Sequence, residues 1–330
     1  MKAFVVTHYG PDGLEAADVP TPTAGPRDVL VDVRAASINP LDKMVRNGEL
    51  KQLLKYELPF VLGHDVSGVI TQVGPEVRDF KVGDEIFARA RDLRIGTFAE
   101  QIAIDSGDIA LKPRSLSFEE AAAVPLVALA AWQALVGLAS VKPGQKVLVH
   151  AGAGGLGSTV IQVAKHLGAH VATTAHSKDV EKVRALGADE VVDYTSTDFA
   201  EVLSGYDVVL DSLGTASLEK SLTVLKPGGL AISVVGPPDP HMADQLGKPL
   251  LKPVMSLLSR KIRSRAKKLG VRYSFLFMEA NGTQLKTLAA LYDDGILQPV
   301  LDRTFPFTDT IEAMAYVEQG KANGKIVVTR

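Results

Sequence analysis

Lys146-Val147-Leu148-Val149-His150-Ala151-Gly152-Ala153-Gly154-Gly155-Leu156-Gly157 is the stretch from which the fold is read. A short apolar run fit for a buried strand ends at His150, and glycines follow at 152, 154 and 157 with the spacing GxGxxG. An apolar-periodic segment then opens directly from Leu156. Glycines at that spacing permit a tight turn and let backbone amides approach an anion at the positive end of the following helix. Strand, turn and helix in register raise a weak motif to a specific one. The alternative is a merely tight strand-to-helix turn. The favoured reading is a cradle for a diphosphate, with Gly152, Gly154, Gly155, Leu156 and Gly157 as its residues.

The flanking sequence extends the same rhythm. A helix is expected over Ser117 to Leu138. Strands are expected over His170 to Thr174, Glu190 to Val192, Asp207 to Leu210 and Gly229 to Val235, alternating with helices over Leu156 to Leu167, Lys178 to Leu186 and Leu218 to Leu225. Ser177 is placed to cap one helix, and Gly168 and Gly187 to end two others. Short apolar strands alternating with helices predict a doubly wound parallel sheet. Before Pro113, by contrast, short β-rich runs (Ala3 to Thr7, Asp28 to Ala35, Ser67 to Val73, Glu85 to Ala88, Thr97 to Ile104) are punctuated by Gly, Pro and Asp. They predict a mostly antiparallel, barrel-like domain. Strand-like sequence returns at Val300 to Phe305 and Lys325 to Thr329. The expected organisation is therefore α/β, with a β-barrel domain over 1–120 and 298–330 and a parallel-sheet domain over 121–297.

If a dinucleotide occupies the cradle, the tip of the second strand decides which one. Enzymes that use NAD place a carboxylate there against the ribose 2′-hydroxyl. Here His170-Val171-Ala172-Thr173-Thr174 runs into Ala175-His176-Ser177-Lys178 without an acid. A hydroxyl and an ammonium suit a 2′-phosphate, so NADPH is the preferred cofactor; cap plus solvated charge is the alternative for this pair.

Composition sets the outer limits. A chain of 330 residues with 46% hydrophobic content has enough apolar sequence for two domain cores. The formal charge of −2 provides no global positive field for nucleic acid. Cysteine is absent, which removes disulfides, thiolate nucleophiles and any zinc site built on Cys. The opening Met1 to Val6 shows no secretory pattern, and the longest apolar stretch, Ala121 to Leu129, is short and contains Pro125. A cytoplasmic location is the expectation.

Further motifs carry a resemblance over essentially the whole chain. They are Ser37-Ile38-Asn39-Pro40-Leu41-Asp42 with Arg46 and Gly48, Gly63-His64-Asp65-Val66-Ser67-Gly68-Val69-Ile70, and Val73-Gly74 with Val82-Gly83-Asp84-Glu85. Gly96-Thr97-Phe98-Ala99-Glu100, Leu186-Gly187-Ala188-Asp189-Glu190-Val191-Val192-Asp193-Tyr194 and Asn323-Gly324-Lys325-Ile326-Val327-Val328 complete the set. With the glycine turn, they resemble the zinc-free quinone oxidoreductase and alkenal/enone reductase branch of the medium-chain dehydrogenases/reductases. The resemblance implies a GroES-like barrel with a Rossmann domain and an active site in the cleft between them. It also implies that Ser177, Lys178 and Tyr194 surround the adenosine phosphate, while Leu213, Val235, Phe277 and Lys325 line the rest of the cofactor groove. Zinc-dependent relatives carry a Cys where this chain has Asn39. His64 is accordingly expected to be a hydrogen-bonded structural residue and no metal is expected.

The implied activity is metal-free hydride transfer to a small electrophile, an enone or a quinone. Asn39 is the lead candidate to donate to a substrate oxygen or fix the nicotinamide ribose. Asp42 would accept from the ribose hydroxyl or orient the loop; both also suit a plain turn. Met44 and Leu50 stand where some relatives carry tyrosines, so water is the expected proton source. A non-catalytic NADPH-binding protein of the same fold is the rival reading, and a zinc alcohol dehydrogenase is disfavoured. Gln245 to Met278 carries nine Lys and Arg residues and no acid. Val254, Leu258, Ile262, Ala266 and Leu269 recur there at helical spacing, predicting an amphipathic basic insertion over 245–270. A packed helix with a solvated charged face is the favoured reading, and contact with a membrane surface or acidic partner the alternative. The strand-like Val271 to Met278 suits pairing across a homodimer, as in relatives.

Overall fold

The computed structural model describes residues 1–330, the side chain of Thr215 excepted. The chain divides into two compact units, residues 1–129 with 279–330, and residues 130–278.

In the 130–278 unit, six parallel strands form one sheet in the order Glu190–Asp193, His170–Ala175, Lys146–Val149, Tyr206–Asp211, Leu225–Ser233, Arg272–Phe275. The chain starts in the middle, builds outward to one edge, then returns to the middle and builds to the other. The switch point thus lies between Lys146–Val149 and Tyr206–Asp211, and in such sheets ligands bind beyond the carboxyl ends of the strands at that point. Fully buried Val147, Leu148, Val149, Val171, Ala172 and Val209 explain why these strands read as continuous apolar runs.

In the other unit, a mostly antiparallel seven-stranded sheet centres on the long strand Asp28–Ile38. It pairs with Asp65–Val73, with Gln101–Asp105 and with the last strand, Lys325–Thr329. A smaller sheet joins Leu14–Asp18, Lys2–Val6 and Phe60–Val61. The helix Gly282–Asp293 belongs to this unit, although the shift in sequence rhythm placed the second boundary at 297/298. It packs so closely that a Cβ on Gly282 would meet the Ile109 carbonyl oxygen at 2.4 Å, and Ser115 N donates to Asp293 Oδ1 at 2.9 Å.

Two helical segments differ from expectation. The single helix expected over Ser117 to Leu138 is three pieces: Phe118–Ala123, Pro125–Trp132 and a π-helical segment, Gln133–Leu138. Ser117 starts the first piece through a reciprocal pair of bonds with Glu120, and Pro125, lacking an amide hydrogen, starts the second. The basic insertion is likewise split, into Lys252–Leu258 and Arg260–Lys268. Its buried side consists of Met255, Ser259, Ile262 and Ala266; the last two enter the core with Leu218 and Leu222. Val254, Leu258 and Leu269, expected inside, are exposed instead. Among the described residues, no helix is long and apolar enough to cross a membrane.

Candidate cofactor cradle and buried polar cluster

The glycine turn sits at the switch point. The Gly152 amide donates to the Thr174 carbonyl at 3.0 Å, the Ala151 amide to Thr174 Oγ1 at 3.1 Å, and the Gly154 amide to the Ala151 carbonyl at 3.0 Å. Ala151 occupies the left-handed region at φ 53°, and this strain goes with the sharp reversal. A Cβ on Gly152 would lie 2.1 Å from Thr173 Oγ1, and one on Gly157 would lie 2.2 Å from the Ala151 carbonyl oxygen. Both positions therefore require glycine. The helix Gly155–His166 starts here, with Gly154 at its cap, so the first-turn amides of Gly155, Leu156 and Gly157 have no partner within the helix. The arrangement fits a diphosphate.

At the tip of His170–Ala175 the chain makes a short turn, Ser177–Asp179. The cap role expected of Ser177 falls to His176, whose Nδ1 accepts from the Lys178 amide at 3.2 Å, leaving the Ser177 and Lys178 side chains exposed. Tyr194 lies just beyond the neighbouring strand. Its amide donates to the Ala175 carbonyl at 3.2 Å and its exposed ring stands edge-on to His176, 6.1 Å between centroids. The three expected phosphate-side residues therefore gather at one place. Two further groups, which the sequence reading missed, join them. Lys182 Nζ donates to the Ala153 carbonyl in the glycine turn at 3.4 Å. Asp193 supplies an acid, but its carboxylate holds Thr195 N at 2.9 Å and Thr195 Oγ1 at 2.7 Å, bonds that keep its pKa low. Helical position relative to the turn would have flagged Lys182; Asp193 arrives only through parallel pairing of its strand with His170–Ala175.

On the other side of the switch point, Leu213, Val235 and Phe277 follow three adjacent strands at their carboxyl ends. Asp211 organises the first two loops. Its buried carboxyl, pushed up in pKa by desolvation, accepts from Ser233 Oγ at 2.8 Å and from the Leu213 and Gly214 amides at 3.3 Å each. Ser233 Oγ in turn accepts from the Val235 and Gly236 amides. Leu213 and Val235 are left as exposed apolar side chains. His150, at the end of the first strand, is buried between Thr174 Oγ1 at 3.2 Å and Ser221 Oγ at 2.9 Å. Burial depresses its pKa to about 4, so the ring is neutral.

Asn39 and Asp42 lie in the other unit, in a different kind of site. Asn39 is 1% exposed. Its amide nitrogen donates to Asp65 Oδ2 at 3.0 Å and to the Ser37 carbonyl at 3.4 Å, while its oxygen accepts from Lys325 Nζ. Both amide hydrogens thus have partners within the protein. Asp42 is also buried, with Oδ2 accepting from the Asn39 backbone amide at 2.7 Å and Oδ1 2.6 Å from His64 Nδ1. Of its two expected roles, this geometry corresponds to orienting the loop. Lys325, expected along the cofactor groove, is likewise buried, its Nζ 3.5 Å from Asp65 Oδ2. Asp65 also accepts from Ser37 Oγ at 3.0 Å and the Leu126 amide at 2.9 Å. Desolvation raises the pKa of Asp65 and lowers that of Lys325, and their mutual attraction opposes both shifts. His64 Nε2 is buried with no hydrogen-bond partner among the described residues; its nearest carboxylate is Asp92, at 3.8 Å.

Comparison with known proteins agrees with this architecture. Residues 25–114 match the family described as alcohol dehydrogenase GroES-like domain, and residues 186–328 that described as zinc-binding dehydrogenase. Over 327 residues the chain is 37% identical to the mouse (Mus musculus) mitochondrial NAD(P)H oxidoreductase RTN4IP1, covering 92% of this chain and 82% of that protein. It is 34% identical over 342 residues to the chloroplastic NADPH-dependent alkenal/one oxidoreductase of Arabidopsis thaliana, covering 99% and 79%. The solved structure of the quinone oxidoreductase from Coxiella burnetii superposes with a TM-score of 0.86 at 31% identity, covering 100% of this chain and 99% of that one. The residues present do not fit the zinc named in the second family description. His64 Nδ1 is engaged by Asp42 and Asp65 by Lys325, and among the described residues no group of three or more His, Asp or Glu side chains is placed to hold a metal ion. Sequence, fold and cradle together place the chain in the medium-chain dehydrogenase/reductase family, in the branch of the quinone oxidoreductases and alkenal/enone reductases.

Proposed function

We propose that the protein is an NADPH-dependent reductase of α,β-unsaturated carbonyl compounds or quinones. The observation that carries the reading is the glycine turn at the switch point, with Ser177 and Lys178 at the tip of the next strand. When bound, the dihydronicotinamide supplies the hydride; the protein supplies position and charge. The free first-turn amides at Gly155 to Gly157 hold the diphosphate. Lys178 and Ser177 meet a 2′-phosphate with a charge-assisted bond and a neutral one. Leu213, Val235 and Phe277 exclude water along the ring's side of the groove. Asn39 and Asp42 keep the start of the Pro40–Arg46 helix in place, and a proton reaches the reduced substrate from water. A homodimer paired through the end strand Arg272–Phe275 belongs to the same proposal.

The test is a panel of small enones and quinones, assayed with NADPH beside NADH. Turnover with NADPH is expected. Lys178→Ala should raise the NADPH Kd about tenfold to a hundredfold, the range of one charge-assisted bond, and leave NADH binding unchanged. Unchanged NADPH affinity in the variant would refute the 2′-phosphate role. Tight cofactor binding without turnover across the panel would favour a sensor over an enzyme.

A further inference from the structure

The basic insertion turns an apolar stripe outward. Val254, Leu257 and Leu258 have the spacing i, i+3, i+4 that places side chains on one face of the helix Lys252–Leu258, and Leu250 stands in the short turn Pro249–Leu251 that leads into it; Leu250, Val254, Leu257 and Leu258 are 91, 53, 68 and 57% exposed. The opposite side, through Met255, Ser259, Ile262 and Ala266, is already spent on the core. The stripe is therefore not a packing face left unfinished. The segment that carries it has nine basic residues and no acid, in a chain whose formal charge is −2. Three cations are paired from outside the segment, Lys252 with Asp244 and both Lys261 and Arg265 with Glu219, Arg265 at 3.6 Å. Arg260 and Arg263 have no carboxylate within ion-pair distance among the described residues, and Arg263 reaches only Ser256 Oγ, at 3.1 Å.

We propose that residues 248–268 form a docking surface for an anionic lipid bilayer. Leu250, Val254, Leu257 and Leu258 enter the acyl boundary, and Arg260, Arg263, Lys267 and Lys268 meet phosphate headgroups. The favoured occupant follows from shape and charge together. An acidic peptide is matched by the charge, but four protruding aliphatic side chains on a short turn and helix offer it no groove to lie in. A second copy of the chain docked on this face would set the eight basic side chains of residues 248–268 against the same eight. A fluid anionic surface accepts protruding leucines and basic side chains at once, which is how interfacial helices bind. Among the described residues no helix is long and apolar enough to cross a membrane, and the contact proposed here is an interfacial one. The inference goes beyond the reductase reading and stands without it, because it uses no residue of the cradle or of the buried polar cluster.

The test is co-sedimentation of the full chain with vesicles of phosphatidylcholine alone or mixed with phosphatidylglycerol. Binding is expected only to the mixed vesicles, and only at low salt. Leu250→Ser/Leu257→Ser/Leu258→Ser should weaken it at least tenfold. Arg260→Gln/Arg263→Gln should weaken it about thirtyfold, on roughly fivefold per basic side chain near an anionic surface. All these side chains are exposed, so circular dichroism and NADPH binding should stay as in the wild type. Absence of wild-type binding to the mixed vesicles would overturn the proposal, as would binding that ignores the leucine substitutions. Equal, leucine-independent binding to polyglutamate would assign the face to an acidic partner, and a dimer that the leucine variant converts to monomers would assign it to a second copy.

Discussion

Replacing Lys325 with methionine tests whether the buried cluster is held by charge. The ammonium lies 3.5 Å from Asp65 Oδ2, and neither side chain is more than marginally exposed. At an effective dielectric of about 20, two unit charges at that distance attract by about 5 kcal/mol. Removing one partner of a buried pair typically costs about 3–5 kcal/mol, because the other charge stays desolvated and alone. Asp65 would keep three donors, Ser37 Oγ, Asn39 Nδ2 and the Leu126 amide, so Lys325→Met should cost about 3 kcal/mol. Without the ammonium, the pKa of Asp65 rises further above its unfolded value. The protonated form then stabilises the fold at low pH, and that contribution is lost as pH rises through the folded-state pKa. The deficit should therefore be smallest in mild acid and complete above that pKa. The assay is urea unfolding of wild type, Lys325→Met, Asp65→Asn and the double variant at several pH values. The cycle should return a coupling of about 1–3 kcal/mol, with the double variant more stable than Lys325→Met alone. A Lys325→Met protein within about 1 kcal/mol of wild type, with no coupling to Asp65, would refute the reasoning.

Two further outcomes follow from the cradle. Gly157→Ala places a methyl group against the Ala151 carbonyl oxygen, a backbone atom that cannot rotate away. NADPH Kd by fluorescence titration should rise at least about tenfold, or about 1.4 kcal/mol, while an alanine at exposed Gly137, where a Cβ meets nothing within 4 Å, leaves it unchanged. His150 is neutral and buried with its pKa depressed to about 4, so the fold loses stability as pH falls from about 6.5 toward that value. The loss is about 3 kcal/mol by linkage, and His150→Gln should flatten that part of the stability–pH profile.

The fold was largely legible because its signals are local. Strand, glycine turn and helix succeed one another within Lys146 to Leu167, and the alternation repeats through Ser233, so the parallel sheet follows from periodicity alone. The gathering of Ser177, Lys178 and Tyr194 was legible for a related reason: each lies just past the end of a strand whose neighbours the topology dictates. The partners of Asn39 were not legible, because they are remote in sequence. Asn39-Pro40 reads either as a donor toward a substrate or as a plain turn, and nothing within a window of sequence announces a lysine 286 residues later that claims the oxygen. The basic insertion was misread by phase. Val254 and Leu258 share a helical period with Ile262 and Ala266, but the break at Ser259 separates the two halves, so the first turns its leucines outward while the second keeps its apolar side on the core.

The pairing of Asp65 with Lys325 across 260 residues also sets an order of events during synthesis. The parallel-sheet unit occupies one uninterrupted span, 130–278, and is complete once that span has left the ribosome. Its companion cannot finish then, because the strand Lys325–Thr329, which covers one edge of Asp28–Ile38 and brings the counter-charge to Asp65, is still to be made. At about 5–20 residues per second, the carboxylate waits roughly 13–50 seconds for its cation. Over the last part of that interval, from residue 278 to residue 325, the nascent chain carries one finished lobe and one with an open sheet edge and an unneutralised acid, a state suited to capture by chaperones. The amino-terminal lobe, first to emerge, is the last to close.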